Sequence, residues 1–284
     1  MPDLAPARRF ERTMMALEKS HLAETRRALE ESRRTLLDAL LRLGLSDASL
    51  PGVFRREMET LARQDAEIGR ARIGPVQAAA ADLARSQFEA LGRFTPVPSF
   101  TAVQTATEAQ RRAAAELLAQ ATWADALAVR LAAETARLRA ASEPVEAAAD
   151  RLFAVANTDR VSIWRAAATN MELQVQLDLG TVGLGLAGIY YLAGQAQSGR
   201  TWFKQAVAEI DQNTTDCCLA VHGQVQPLDK PFELTGTPRF ADQMMHPRFH
   251  WNCRTDELLW SEGLDAIGQS TREMRAEARD QQKA

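Results

Sequence analysis

All three cysteines, Cys217, Cys218 and Cys253, and three of the four histidines, His222, His246 and His250, fall between positions 217 and 253. Thiolate and imidazole are the ligands zinc takes, and a structural zinc site joins two close-spaced pairs brought together by the fold. Cys218 with His222, a C-x3-H, and His250 with Cys253, an H-x2-C, are such pairs. The expected ligands are therefore Cys218, His222, His250 and Cys253, with Cys217 as the alternative and structural zinc as the cofactor. Neither pair is the C-x2-C that carries strong specificity. A packing role stands beside ligation for each residue. Free cysteines behave as small buried hydrophobes, and adjacent Cys217 and Cys218 cannot easily both face one site, so at least one is expected in the core. His246, which precedes Pro247 in extended sequence, is expected to have a surface or packing role, and Trp251 to lie in the core beneath the loop.

Catalysis finds less support in the same residues. Cys218 with His222 or His250 could form a nucleophilic pair, but nothing fixes a third, orienting group. A nuclease of the His-Asn-His kind needs a second ligand histidine after Asn252, and no histidine follows His250. The chain carries no phosphate-binding glycine loop, no H-E-x-x-H and no G-x-S-x-G. The expectation is a protein that is not an enzyme. A metal-dependent hydrolase or toxin using the Cys/His cluster is the alternative.

These residues must be positioned by a sequence that is helical for most of its length. Of 284 residues, 46% are hydrophobic, 25% charged and only 6% aromatic, with a formal net charge of -3, which excludes a disordered tail, a collagen-like fibre and a strongly basic nucleic-acid coat. Phe10 to Leu43 has no Pro or Gly, and Met15, Leu22, Leu29 and Leu36 recur at seven-residue intervals, predicting a long helix with one apolar stripe. The second heptad column, Glu18, Thr25 and Ser32, is too polar for a self-sufficient coiled coil. This favours a helix docked on its own protein or on a partner. A second helix is expected from Val53 to Arg72, broken at Gly74-Pro75, and a third to about Leu91. Phe94 to Ser99, with Pro96 and Pro98, reads as a linker. Thr107 with Gln110 forms a capping box opening a helix that carries Leu117, Ala124, Leu127, Leu131 and Leu138. Pro144 opens another through Asp150, Leu152 and Val155, and a further one begins near Asp159 and carries Trp164 and Arg165. Val175 to Leu179 suits a strand or a continuing helix equally.

Leu179 to Ala193 is the most apolar run, interrupted by Gly180, Gly183, Gly185 and Gly188, and shorter than the roughly 20 residues that span a bilayer, so a core segment and no membrane are expected. Arg200 to Ile210 reads as a short amphipathic helix with Trp202, Ala206 and Ile210 on one side. Four of the eleven prolines then lie between 227 and 247, giving a loop-rich module with one hairpin, and the charged tail Leu264 to Ala284 is expected to be helical and frayed. The fold class is thus mostly α, a helical N-terminal region followed by a small loop-rich α+β C-terminal module. Its divisions are 1–94, a linker at 95–106, a helical middle at 107–199, the Cys/His module at 200–262 and a tail at 263–284. The N-terminus MPDLAPARRFERTMM has no apolar signal core, which places the chain in the cytosol, where a disulfide framework is not expected.

Trp202-Phe-Lys-Gln-Ala, Asp211-Gln-Asn-Thr-Thr-Asp-Cys-Cys-Leu-Ala-Val-His-Gly-Gln-Val and His250-Trp-Asn-Cys-Arg254 resemble the phage head morphogenesis family, the minor head proteins similar to protein F of phage Mu. The module of that family reads as a Trp or Lys element, a threonine-rich stretch, a C-x2-C, a glycine five residues after the second cysteine, and a Pro-rich loop ending in H-P-x-C-R-C. Gly223 lies five residues after Cys218, so Cys218 matches the second cysteine and Thr215 stands at the first. His250, Cys253 and Arg254 match at the other end, and Thr255 stands at the last cysteine. Both departures remove a thiolate that Cys217 or His222 would have to replace. The similarity covers about Asp159 to Trp260, and the first 150 residues match only in being helical.

The resemblance implies a minor head component that is not an enzyme. Such a protein is present in few copies, contacts portal and capsid proteins, and assists procapsid assembly, DNA packaging or delivery. It implies the host cytoplasm during assembly and the virion head afterwards. With Lys+Arg 34 against Asp+Glu 37, DNA contact draws no support from charge, and no small-molecule substrate is expected.

Overall fold

The N-terminal stripe folds as a long helix, α1 (Ala5–Leu43), in a computed structural model that describes residues 5–91, 107–154, 162–234, 242–247, 249–250, 253–262 and 269–283. Leu22, Leu29 and Leu36 are buried, but Met15 is exposed and Met14 takes the inward place. Met14 stands in the neighbouring heptad column with His21 and Ala28, both also buried, so the inward face at this end of the helix is centred one residue earlier. The described residues are mostly α-helical, with a small C-terminal module of short strands and helices. The chain divides into two compact units, one of residues 18–72 and 115–176 and the other of residues 1–17, 73–114 and 177–284. The expected linker at 94–99, the Thr107–Gln110 capping pair, Val155 and Asp159 lie outside the described residues or side chains.

In the first unit, the polar column of α1 is buried and paired within the chain. Thr25 donates to Asp65 Oδ1 at 2.8 Å and Ser32 to Glu57 Oε1 at 2.8 Å, while Trp123 Nε1 donates to Asp65 Oδ2 at 2.9 Å. Helix α1 therefore docks on its own protein. The second helix, α2 (Leu50–Leu91), runs through Gly74-Pro75 without ending. An interior proline costs about 3 kcal/mol. Burial of Val76, Ala80, Leu83 and Ala84 beyond it offsets that, at about 1.5–3 kcal/mol for each large apolar side chain.

The helix expected from Thr107 to Leu138 is instead two, α3 (Thr107–Leu118) and α4 (Thr122–Ala140). No Gly or Pro marks the break. A distant side chain holds it: Gln174 Oε1 accepts from Trp123 N at 3.0 Å and Thr122 Oγ1 at 2.8 Å, and Gln174 Nε2 donates to Gln120 O at 2.8 Å. Pro144 opens α5 (Val145–Phe153), as expected.

Helix α6 (Ile163–Ser198) includes Val175 to Leu179, which is helical. It is long and apolar enough to cross a membrane, yet 61% of its most apolar window is buried within the protein. Its glycines admit neighbours: a Cβ on Gly183 would lie 2.9 Å from Met14 Cε, and one on Gly188 would lie 3.0 Å from His246 Cε1. Gly199, at φ +63°, ends the helix.

The segment expected as an amphipathic helix after Gly199 is a strand, β1 (Phe203–Ala208), with β2 (Val225–Pro227) and β5 (Thr255–Trp260) antiparallel on its two sides. Trp202, Ala206 and Ile210 are four residues apart, and that spacing shares a face in a helix and in a strand alike. The register sets Ala208 opposite Thr255 and Phe203 opposite Trp260. Helix α7 (Asp216–Val221) follows β1, and β3 (Phe232–Glu233) pairs antiparallel with β4 (Gln243–Met244), a hairpin of the kind expected.

Within the tail, residues 271–283 are helical, as expected. Helix α8 (Thr271–Lys283) opens with a reciprocal cap, Ser270 N to Glu273 Oε2 at 2.7 Å and Glu273 N to Ser270 Oγ at 3.3 Å, and buries Met274 and Ala278. Arg275 Nη1 donates to the His222 carbonyl at 3.1 Å, and Gly223, at φ +73°, leaves room for Met274, whose Cβ would be 2.8 Å from a side chain there.

Candidate metal centre

The module's core is built from small residues and two rings: Ala206 and Ala208 of β1, Cys217, Cys218 and Val221 of α7, then Phe232, Leu234, Phe249 and Cys253. Phe232 and Phe249 meet edge to face at 6.3 Å. The cysteines are at once part of this core and part of a polar cluster within it.

Two turns aim the cluster. Thr215, at the N-cap of α7, has extended φ/ψ of -76° and 157° and makes no side-chain cap bond. Its hydroxyl instead lies 2.8 Å from His250 Nε2 and 3.1 Å from Cys217 Sγ. At the other end, Cys253 N donates to His250 O at 3.1 Å, folding the H-x2-C back on itself. Cys218 Sγ then lies 3.0 Å from His250 Nε2 and 3.7 Å from Cys253 Sγ. Cys217, Cys218 and His250 offer ligand atoms that all fall within 4.8 Å of one another, a group that can hold a metal ion.

Arg254 ties the two ends together. Its Nη2 is 2.7 Å from Asp211, its carbonyl accepts from Glu209 N at 3.0 Å, and Asp211 Oδ1 also accepts from Asn213 N at 2.7 Å. The guanidinium holds the Asp211 carboxyl below its usual range. Arg254 thus anchors the turn that leads into Thr215.

The thiols differ in acidity. Hydrogen bonding with Cys218, and then with Thr215, lowers Cys217 to about 7 against the opposing effect of burial. The contact with Cys218 and burial together push Cys253 up to about 12. A bound cation would displace the remaining protons, so occupancy of such a site rises with pH.

The structure alters the ligand set expected from spacing. Both Cys217 and Cys218 face the cluster, because the extended N-cap at Thr215 brings both side chains of the first helical turn round toward His250. His222 does not join them. Helix α7 ends at Val221, and His222, at φ -53° and ψ 123°, turns away. Its Nδ1 accepts from Ala208 N at 3.0 Å and its Nε2 faces Glu277 at 3.8 Å. Burial lowers its pKa and favours the neutral ring. It serves as a buried link between β1 and α7. Trp251 lies outside the described residues.

A second polar group went unmarked in the sequence. His246 Nδ1 is 2.9 Å from Glu257 Oε2, and its ring lies against Gly188. Nearby Lys204 is fully buried, with its ammonium on the Met245 carbonyl and 5.0 Å from the Phe232 ring centre. His246 therefore has a packing role, as expected, but with a buried acid as its partner. The helical unit also holds a cavity of about 490 Å³ between α2 and α4, lined mostly by apolar side chains such as Phe54, Met58, Val129 and Leu131, with Arg55, Thr135 and Arg139 among them.

No protein-family model, no curated protein and no solved structure matches this chain.

Proposed function

We propose that the chain is a phage or prophage minor head protein, whose Cys/His module is held by a structural zinc ion and which assists procapsid assembly near the portal through contacts with portal and capsid proteins. The observation that carries this reading is the convergence of the motif positions. Thr215 and Cys218 stand at the two positions of the resembled C-x2-C, and His250 and Cys253 at two positions of the resembled H-P-x-C-R-C. All four meet within one cluster, with Thr215 Oγ1 2.8 Å and Cys218 Sγ 3.0 Å from the same His250 nitrogen. Residues 32 to 38 positions apart in the chain have no local reason to do so.

Zinc is supported by the donor chemistry and by one distance. With Zn–S near 2.3 Å, two thiolates on a tetrahedral ion stand about 3.8 Å apart. The Cys218–Cys253 separation is 3.7 Å. Cys217, Cys218 and His250 supply three ligand atoms within 4.8 Å of one another, and Cys253, 3.7 Å from Cys218 Sγ, is the fourth donor we assign, so that Cys217 takes the place that spacing gave to His222. With Cys253 as the fourth ligand, no coordination position would remain for water, the arrangement of structural rather than catalytic zinc. This counts against the hydrolase or toxin alternative. Placement in the host cytoplasm and then in the virion head belongs to the same proposal.

The test is co-purification of the tagged, full-length chain from cells producing particles, followed by mass spectrometry of procapsids and virions. The protein should appear at a few copies per particle with portal protein. Its absence from both particle types would overturn the head-protein reading, whatever metal it binds.

A further inference from the structure

Cys218 and Cys253 come from opposite ends of the module, yet the fold brings their sulfurs together. Cys218 is in the first turn of α7, Cys253 at the entry to β5, and both are buried in the same core cluster. Their Sγ atoms are 3.7 Å apart. A disulfide needs about 2.05 Å, so each sulfur has to travel only about 0.8 Å. Cys217 is differently placed. A bridge to its neighbour Cys218 would close a small ring across one peptide bond inside the first turn of a helix, and its hydroxyl partner Thr215 lies 3.1 Å away.

We infer that Cys218 and Cys253 form a reversible disulfide, an alternative staple that replaces the metal when the protein meets a peroxide. The exchange between staples rests on the zinc reading, whereas the bridge rests only on the two sulfurs. In the metal-free chain, two thiols react with one hydrogen peroxide. Both S–H bonds and the O–O bond break, one S–S bond forms, two electrons pass from sulfur to oxygen, and the product is two waters. From the zinc-bound thiolates the same step takes up two protons from solvent and releases one zinc ion. A bound metal would be released because Cys218 and Cys253 would no longer be thiolates, and Cys217 with His250 alone is a poor site.

The two staples close the same loop, from the start of α7 to the start of β5. The module therefore keeps its two ends joined in a reducing cytoplasm, where thiols persist, and in the oxidising exterior that a released particle meets, where disulfides persist. In this sense the closely approaching thiols preserve the fold across a change of compartment that would strip a zinc-only site.

The experiment uses the full-length wild-type chain, purified under reductant, desalted and divided into zinc-loaded and chelator-treated samples. Hydrogen peroxide is titrated in, remaining thiols are alkylated, and peptides are mapped by mass spectrometry while a zinc-sensitive dye follows release. The expected result is a fall from three free thiols to one, a mass loss of about 2 Da, a Cys218–Cys253 cross-linked peptide and reversal by dithiothreitol. The zinc-loaded sample should release one zinc per bridge. Cys217→Ser, with its fold checked by circular dichroism, should still form the bridge. A bridge containing Cys217, or oxidation of separate cysteines to sulfinic acid without any bridge, overturns the inference. If zinc never binds and the bridge forms, the metal reading fails and the disulfide stands. If zinc binds and no bridge forms, the reverse holds.

Discussion

Replacing His222 and Cys217 one at a time separates the ligand set that spacing favours from the one that geometry favours. In the folded chain, His222 Nδ1 accepts from the buried Ala208 amide at 3.0 Å. His222→Ala leaves that donor unsatisfied, a cost of about 1–3 kcal/mol, and opens a void where the ring was. For a unit of this size each kcal/mol shifts Tm by about 2–4 °C, so a loss near 2 kcal/mol lowers Tm by about 4–8 °C. On the proposed ligand set the drop should be equal with and without zinc, because the His222 ring is held on the Ala208 amide, away from the Cys217–Cys218–His250 group. Cys217→Ser is expected to act on the difference instead. Zinc at 100 times its Kd adds about 2.7 kcal/mol of stability to a protein that binds it only when folded. That corresponds to a gain of about 5–11 °C in the wild type. A serine hydroxyl is too weak an acid to replace the thiolate, so the increment in Cys217→Ser should fall below about a third of the wild-type value. The assay is thermal unfolding of each variant with and without buffered free zinc, with stoichiometry from a chelator competition. Loss of zinc binding in His222→Ala, with one tight zinc retained by Cys217→Ser, would refute the reasoning and restore the C-x3-H pair.

Two glycines of α2 should respond with opposite signs in urea unfolding. A Cβ on Gly69 would lie 2.0 Å from the Leu118 carbonyl oxygen, so Gly69→Ala has to force backbone apart and should cost about 1–3 kcal/mol, while Gly52→Ala meets only Arg56 Nη1 at 3.6 Å and should gain up to about 1 kcal/mol. Met274→Ala should destabilise by about 2–5 kcal/mol in the same measurement, since its side chain is fully buried, and a neutral result would refute the packing of α8 on the module. The metal-free protein should lose stability on acidification through His222. Burial lowers its folded pKa below the unfolded value of about 6.5, so the unfolded chain binds more protons. The contribution is complete above that value and declines as pH falls from it toward the lowered folded one. Denaturant midpoints between pH 7.5 and 5 should show this slope in the wild type and a smaller one in His222→Ala, and equal slopes would remove His222 as its source.

Local pattern was enough for most of the helical fold. The stripe of Leu22, Leu29 and Leu36 and the proline at 144 made helices visible, because a 3.6-residue period and a fixed φ are properties of neighbouring residues. The pattern failed where a remote group decided. Gln174 creates the break between α3 and α4, packing beyond Pro75 keeps α2 continuous, and a four-residue spacing left β1 readable as a helix until its two strand partners were in place.

The candidate site divides in the same way. Residue types and their concentration between 217 and 253 pointed to zinc-type ligands, and the sequence alone determined which donor atoms were available. Which of them converge is a matter of direction, set by where α7 begins and ends. The extended N-cap at Thr215 brings Cys217 and Cys218 together onto His250, and the end of α7 at Val221 sends His222 to the Ala208 amide instead. Spacing along the chain fixes how far apart two side chains can be. Only the backbone dihedrals at the ends of the element, held by residues distant in sequence such as Arg254, fix where they point.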